Sequence, residues 1–167
     1  SYGFLAGTFA LDNDGVLAAL LLCKAAQYYK DKGQSLMDVL EKMYQAYGYY
    51  LEGVKNLTFQ GLDGMDKMKK IMSGLRSKPI ASIGGLGVQY TEDYLSRRRI
   101  AADGKASDIE LPASDAVKLV LDQAAWICIR PSGTEPKIKI YYAAREATRE
   151  AAENRLKEIS ASFEQMI

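Results

Sequence analysis

The sequence has no histidine, an absence that removes the commonest general base, nucleophile partner and metal ligand together. Ser-His-Asp chemistry is excluded within this chain, and so are most zinc sites. Cysteine is nearly as scarce, with two copies. Cys23 follows Leu20-Leu21-Leu22 and Cys128 follows Trp126-Ile127, so both are expected as buried free thiols of a reducing compartment, not as a disulfide. Charge of one sign is lacking as well: 22 basic residues balance 21 acidic ones for a net +1. Without a long-range field, bulk electrostatic capture of nucleic acid or of an anionic membrane is excluded, and any anion site must be local. The longest apolar run, Val16 to Cys23, falls far short of the ~20 residues of a membrane span, and no basic segment precedes it as a secretory signal requires. These features point to a cytoplasmic protein. The chain opens Ser1-Tyr2-Gly3-Phe4 with no initiating methionine and no polar lead-in, and so reads as a fragment entered in mid-structure.

What is present is ordinary globular material: 167 residues, 48% apolar and 26% charged. A chain of this size hides roughly 70% of its unfolded surface, so neither a metal nor a disulfide is needed to hold it together. Asp12-Asn13-Asp14-Gly15 offers capping oxygens ahead of a run from Val16 to Tyr29 that is apolar on nearly every side, the pattern of a helix packed among other elements. Ser35 and Asp38 form a capping-box variant before Leu36, Val39, Leu40, Met43, Tyr44 and Tyr47, whose spacing predicts a second helix from Leu36 to Ala46. Two tandem helices with no strand between them suit the closing layer of an α/β unit. Glycines among aromatics from Tyr47 to Lys55 read as a connector with a domain boundary near Gly53, followed by a strand at Val54 to Gln60.

Further on, Leu62, Met65, Met68, Met72 and Leu75 line one side of a third helix, and their spacing is that of core packing rather than of a peptide groove. Gly84-Gly85 breaks Ile80 to Tyr94 into strand, turn and strand, and Asp103-Gly104 supplies another turn. Val117, Leu119 and Leu121 alternate as in a strand, Trp126 to Ile129 forms a second, and Ile138, Ile140 and Tyr142 share one face of a third, opposite Lys137, Lys139 and Tyr141. Ala152, Leu156, Ile159, Phe163 and Met166 then mark a helix of about 18 residues. The second half is thus α+β, a mostly antiparallel sheet with helices on one side.

Between two of these strands lies Arg130-Pro131-Ser132-Gly133-Thr134-Glu135-Pro136, the chemistry of an anion cradle. Arg130 offers a fixed fork of donors that fits two phosphate oxygens, Ser132 and Thr134 add hydroxyls, and Gly133 lets main-chain N–H groups approach with no Cβ in the way. The prolines stiffen both flanks and cannot donate, which concentrates the donors at the tip. Lys137 can add charge at the same rim, with Lys139 as a weaker contributor. The same residues would also suit an ordinary hairpin loop, with the arginine in a surface ion pair. Arg97-Arg98-Arg99 is the one basic run, and no interleaved aromatic platform supports a nucleic-acid reading of it. Asp12 to Gly15 lacks the later ligands of a calcium loop and reads as a cap.

The loop Arg130 to Pro136 together with Lys137-Ile138-Lys139 closely resembles the C-terminal phosphate-binding loop of the α-D-phosphohexomutases, the family of phosphoglucomutases and phosphomannomutases. Ser1-Tyr2-Gly3 resembles the tail of that family's sugar-binding loop, in which two glutamates come first, and the helix pair that follows is similar to the end of its third domain. The resemblance covers essentially the whole chain. It implies that residues 1–52 are the C-terminal end of the third, α/β domain and 53–167 the fourth, phosphate-binding domain, with a fold similar to the TATA-binding protein. It further implies an intramolecular phosphotransferase, an isomerase that interconverts hexose 1-phosphate and 6-phosphate through a hexose 1,6-bisphosphate. Arg130, Ser132, Gly133, Thr134 and Lys137 would hold the substrate phosphate, and Ser1 would touch sugar hydroxyls, with the Tyr of Ser1-Tyr2-Gly3 pointing to the glucose branch. The catalytic serine loop and the aspartate loop for Mg2+ are not in this sequence, so the fragment alone is expected to be inactive and to work with the remaining domains of the same enzyme. A stand-alone phospho-ligand binding module is the rival reading.

Overall fold

The computed structural model describes residues 14–61 and 63–167, which fall into two compact units, one ending at Tyr47 and the other running from Gly48 to Ile167. In the first, α1 (Gly15–Lys30) is capped by the Asp14 carboxylate, which accepts from the N–H groups of Val16 and Leu17, and α2 (Leu36–Tyr47) follows a short turn. The capping box is formed: the Ser35 N–H donates to Asp38 at 2.7 Å, and the Asp38 N–H donates to the Ser35 hydroxyl at 3.1 Å. Neither helix buries a residue. Val16, Leu20, Leu22, Met37 and Met43 are all exposed, because two helices cannot by themselves enclose one that is apolar all round. Cys23 is exposed for that reason and Cys128 is half-buried, so the expectation of two buried thiols is corrected, although both are free.

The second unit is one antiparallel sheet with helices α3 (Gly64–Ser77) and α4 (Arg149–Glu164). The strands are β1 (Tyr49–Thr58), β2 (Ser82–Ile83), β3 (Leu86–Asp93), β4 (Arg98–Ala101), β5 (Ala106–Asp108), β6 (Val117–Leu121), β7 (Trp126–Pro131) and β8 (Lys137–Glu146). Their order is β1-β8-β7-β6-β3-β4-β5, with β2 paired to β3. The stretch expected as a connector is mostly strand: β1 starts at Tyr49, and Gly53 sits within it opposite Tyr142. The two compact units divide between Tyr47 and Gly48. Gly53 is explained by packing, since a Cβ there would stand 3.3 Å from Leu156 of α4. The Gly84-Gly85 turn has φ of +55° and +77°, as a tight hairpin between right-twisted strands demands.

Both helices cover the same face of the sheet. Met68, Met72 and Leu75 of α3 and Ile159 and Phe163 of α4 form one core with Leu119, Ile127, Ile129, Ile138 and Ile140. The methionine stripe is core, as its spacing predicts; Leu62 lies outside the described residues. The Phe163 ring meets Tyr142 edge-on at 6.4 Å. The opposite face carries no helix of this unit, and it presents the alternate residues of each strand: Tyr90 and Glu92, Lys118, Trp126, Cys128 and Arg130, Lys139 and Tyr141, Val54 and Asn56.

Candidate anion-binding site

Strands β7 and β8 run antiparallel and are joined by residues 132–136. Ile129 pairs with Ile140 and both side chains are fully buried, which fixes the parity of everything beside them. Arg130 is thereby turned to the helix-free face, directly opposite Lys139. Two cations across neighbouring strands, about 4.7–4.9 Å apart, repel each other unless something negative lies between or above them. Among the described residues no carboxylate pairs with either one. The alternative of a surface ion pair between Arg130 and Glu135 is not what the loop adopts. Lys139, ranked below Lys137 by sequence order, is the lysine that the register brings to Arg130; Lys137 stands one step nearer the loop on the same face, opposite Thr58.

The loop spends few of its donors internally. The Ser132 N–H donates to the Lys137 carbonyl at 2.8 Å and closes the hairpin, and the Lys137 N–H donates to the Glu135 carbonyl at 2.8 Å. The Ser132 hydroxyl oxygen accepts from the N–H groups of Thr134 at 3.4 Å and Glu135 at 3.3 Å. These contacts are long, and they leave the Ser132 proton to be donated outward. Gly133 is exposed, has no positive φ, and a Cβ there would meet nothing within 4 Å. Glycine is thus not demanded by the backbone; what it gives the site is an uncovered N–H. Pro136 anchors the far flank: its carbonyl accepts from Phe59 N–H at 2.8 Å, and its ring lies against Gly64 at the start of α3.

Of the predicted residues, the structure brings Arg130, Ser132, Gly133, Thr134 and Lys137 to one end of one hairpin, while Ser1 lies outside the described residues. Neighbours that the sequence did not single out are Lys118, opposite Cys128 with its ammonium 5.1 Å above the Trp126 ring, and Asn56, opposite Lys139. Burial pushes the Cys128 thiol pKa up, against the pull of Lys118 and Arg130. Hydropathy alternation marks the face each residue occupies, but only the strand register makes them neighbours. The basic run Arg97 to Arg99 is structural: Arg97 Nε donates to the Ile109 carbonyl, Arg98 pairs with Asp108 at 2.9 Å, and Arg99 holds buried Glu92 at 2.7 Å. Glu92 also accepts from the Tyr94 hydroxyl at 2.9 Å; burial and this carboxylate push the Tyr94 pKa up to about 12. Among the described residues no helix is long and apolar enough to cross a membrane.

An antiparallel sheet with both helices on one face and a donor-rich hairpin at its end defines the class of an α+β domain. Residues 90–161, which include the loop, match the phosphoglucomutase/phosphomannomutase C-terminal domain. The chain is 39% identical over 146 residues to a phosphoglucomutase of Staphylococcus aureus strain MRSA252, and 38% identical over 146 residues to that of strain USA300. Each alignment covers 87% of this chain and 26% of the relative, so the chain spans about a quarter of the length of these relatives. The fold is similar to the open form of the exocytosis-sensitive phosphoprotein pp63/parafusin, a phosphoglucomutase from Paramecium, with a TM-score of 0.55 at 17% identity over 92% of this chain and 26% of that one. The chain is thus similar to part of the phosphoglucomutases, and its residues 90–161 match the C-terminal domain of the phosphoglucomutase/phosphomannomutase family.

Proposed function

We propose that this chain is the substrate-phosphate grip of a phosphoglucomutase-like phosphohexomutase, an isomerase that interconverts hexose 1-phosphate and 6-phosphate by way of a bisphosphate. The observation that carries the reading is the Arg130–Lys139 pair, two cations set side by side with no carboxylate partner among the described residues, beneath a loop whose Gly133 N–H and Ser132 hydroxyl stay free to donate. Arg130 would bind two phosphate oxygens through its fork, Lys137 and Lys139 would supply charge, and Ser132, Gly133 and Thr134 would hydrogen-bond the remaining oxygens. Charge-assisted hydrogen bonds contribute about 1.5–3 kcal/mol each, so a few of them suffice to hold a phosphate.

Phosphoryl transfer is achieved mainly by positioning and charge neutralisation. A grip on the phosphate that is not reacting fixes the sugar relative to a nucleophile elsewhere. Because the bisphosphate must present each phosphate in turn, the same grip would serve two orientations of the sugar, with Ser1 touching its hydroxyls. A hinge that lets this domain open and close fits that requirement. Tyr49 to Gly53 are paired in β1, so the hinge is proposed at Gly48, whose φ is +96°. The described residues hold no group of three or more cysteine, aspartate or glutamate side chains fit for a metal. Magnesium, which the resemblance implies, is proposed to be held by the remaining domains of the enzyme, and no step here runs through it. The phosphate reading is tested by titrating the chain with glucose 6-phosphate and with inorganic phosphate, followed by amide resonances. Binding should perturb Ser132 to Thr134 first, and Arg130→Ala should weaken both ligands; an unchanged affinity would remove the loop from the site.

A further inference from the structure

We propose that the site continues across β8 onto the outer strand β1, where Asn56 and Thr58 form a neutral subsite for the hydroxyl groups of the phosphorylated ligand. The inference rests on the phosphate reading of the loop and adds the part of the ligand that phosphate chemistry does not describe. The register sets two rows on the helix-free face. Arg130 lies opposite Lys139, which lies opposite Asn56; one step nearer the loop, Lys137 lies opposite Thr58. Leu57, between Asn56 and Thr58, faces the other way and packs against the core. Asn56 and Thr58 are both exposed, and neither side chain has a hydrogen-bond partner among the described residues.

The chemistry along the rows changes from charge to neutrality. Arginine and lysine only donate, which suits a phosphate; a carboxamide and a hydroxyl both donate and accept, which suits sugar hydroxyls, since these do the same. From Arg130 to Asn56 is two strand spacings, about 10 Å, so a six-carbon sugar anchored by its phosphate at the loop can lie over β8 and reach β1. The opposite direction is chemically poorer. There the next side chains are Cys128 and Lys118, whose ammonium stands over the Trp126 ring, and beyond them Glu92 is occupied by Arg99 and Tyr94. The neutral hydroxyl on that side, Tyr90, lies two strands from β7 in line with Val120 and Trp126, four residues back along β7 from Arg130, and the Arg99 guanidinium covers its ring.

The experiment compares two probes on the whole chain, inorganic phosphate and glucose 6-phosphate, titrated by calorimetry or by amide resonances. Asn56→Ala should weaken glucose 6-phosphate by about fivefold, the loss of one neutral hydrogen bond, and shift inorganic phosphate by less than about twofold. Thr58→Val, which keeps strand shape and β-propensity, should act in the same sense and guards against an unfolded first variant. Equal losses for both probes, or no loss for either, would overturn the subsite while leaving the loop reading intact, provided Arg130→Ala still weakens inorganic phosphate. If Arg130→Ala changes neither probe, the phosphate reading itself fails, and the two failures are told apart.

Discussion

The two faces of the β7–β8 hairpin are built from alternate residues of the same strands, yet they do unrelated work. Ile127, Ile129, Ile138 and Ile140 are fully buried under α3 and α4, while Cys128, Arg130, Lys137 and Lys139, interleaved with them, stand on the side that no helix of the domain covers. On the covered face, apolar burial is worth about 25 cal/mol per Å² and the side chains interlock. On the open face, like charges sit together at some cost to folding. The difference teaches that in this domain stability and ligand binding are separated by one residue of strand register, so substitutions at adjacent positions should divide cleanly between the two properties.

The largest expected effect is on the covered face. Ile140→Ala should destabilise the domain by about 2–5 kcal/mol, seen as a lower urea midpoint, because the fully buried side chain leaves a cavity among Ile129, Ile138 and the two helices. The molecules that remain folded should bind phosphate as before. On the open face, next to it in rank, Arg130→Ala should weaken phosphate by about 1.5–3 kcal/mol while the urea midpoint holds steady or rises slightly, since Lys139 loses its like-charged neighbour. A large fall in stability on removing Arg130 would break the division between the faces.

Glu92 sharpens the comparison by being its exception, a carboxylate 6% exposed on the open face and held there by Arg99 and Tyr94. Its network makes one part of that face matter for folding. The Tyr94 hydroxyl has a folded pKa of about 12 against an ordinary 10.0, raised by burial and by Glu92. A raised folded pKa means that the unfolded chain releases its proton first, so the stabilisation is complete below about pH 10 and is lost as pH rises toward 12. Urea midpoints followed with pH should fall across that alkaline window, and Tyr94→Phe should flatten the fall. An unchanged slope would show that Tyr94 is not what couples this face to folding.

Much of this was legible in the sequence, and the limits are informative. The periods at Met68, Met72 and Leu75 and at Ile138, Ile140 and Tyr142 gave α3 and β8 with their buried faces, and Gly84-Gly85 gave its hairpin, because those signals are local. The loop from Arg130 to Pro136 was visible as a composition of donors. Three things were not. The start of β1 was hidden by Tyr49 to Gly53, whose glycine answers to Leu156 of α4 and not to a turn. Lys139 ranked below Lys137 because chain order says nothing about which lysine faces Arg130. Asn56 carried no signal at all, since its place in the site comes from the pairing of β1 with β8, strands far apart in sequence.

The smallest effect belongs to Gly133, and it probes the comparison at the tip where the two faces meet. A Cβ there touches nothing within 4 Å, and the residue is not among those with positive φ. Gly133→Ala should therefore leave the fold intact and raise its stability by about 0.4–1 kcal/mol, through the reduced freedom of the unfolded chain. The same methyl group would crowd the exposed N–H that is proposed to face the phosphate. The variant should then bind inorganic phosphate less tightly while melting at a slightly higher temperature, opposite signs from one substitution. Tighter binding, or a lower melting temperature, would mean that the loop takes another shape in solution and that its glycine serves the backbone after all.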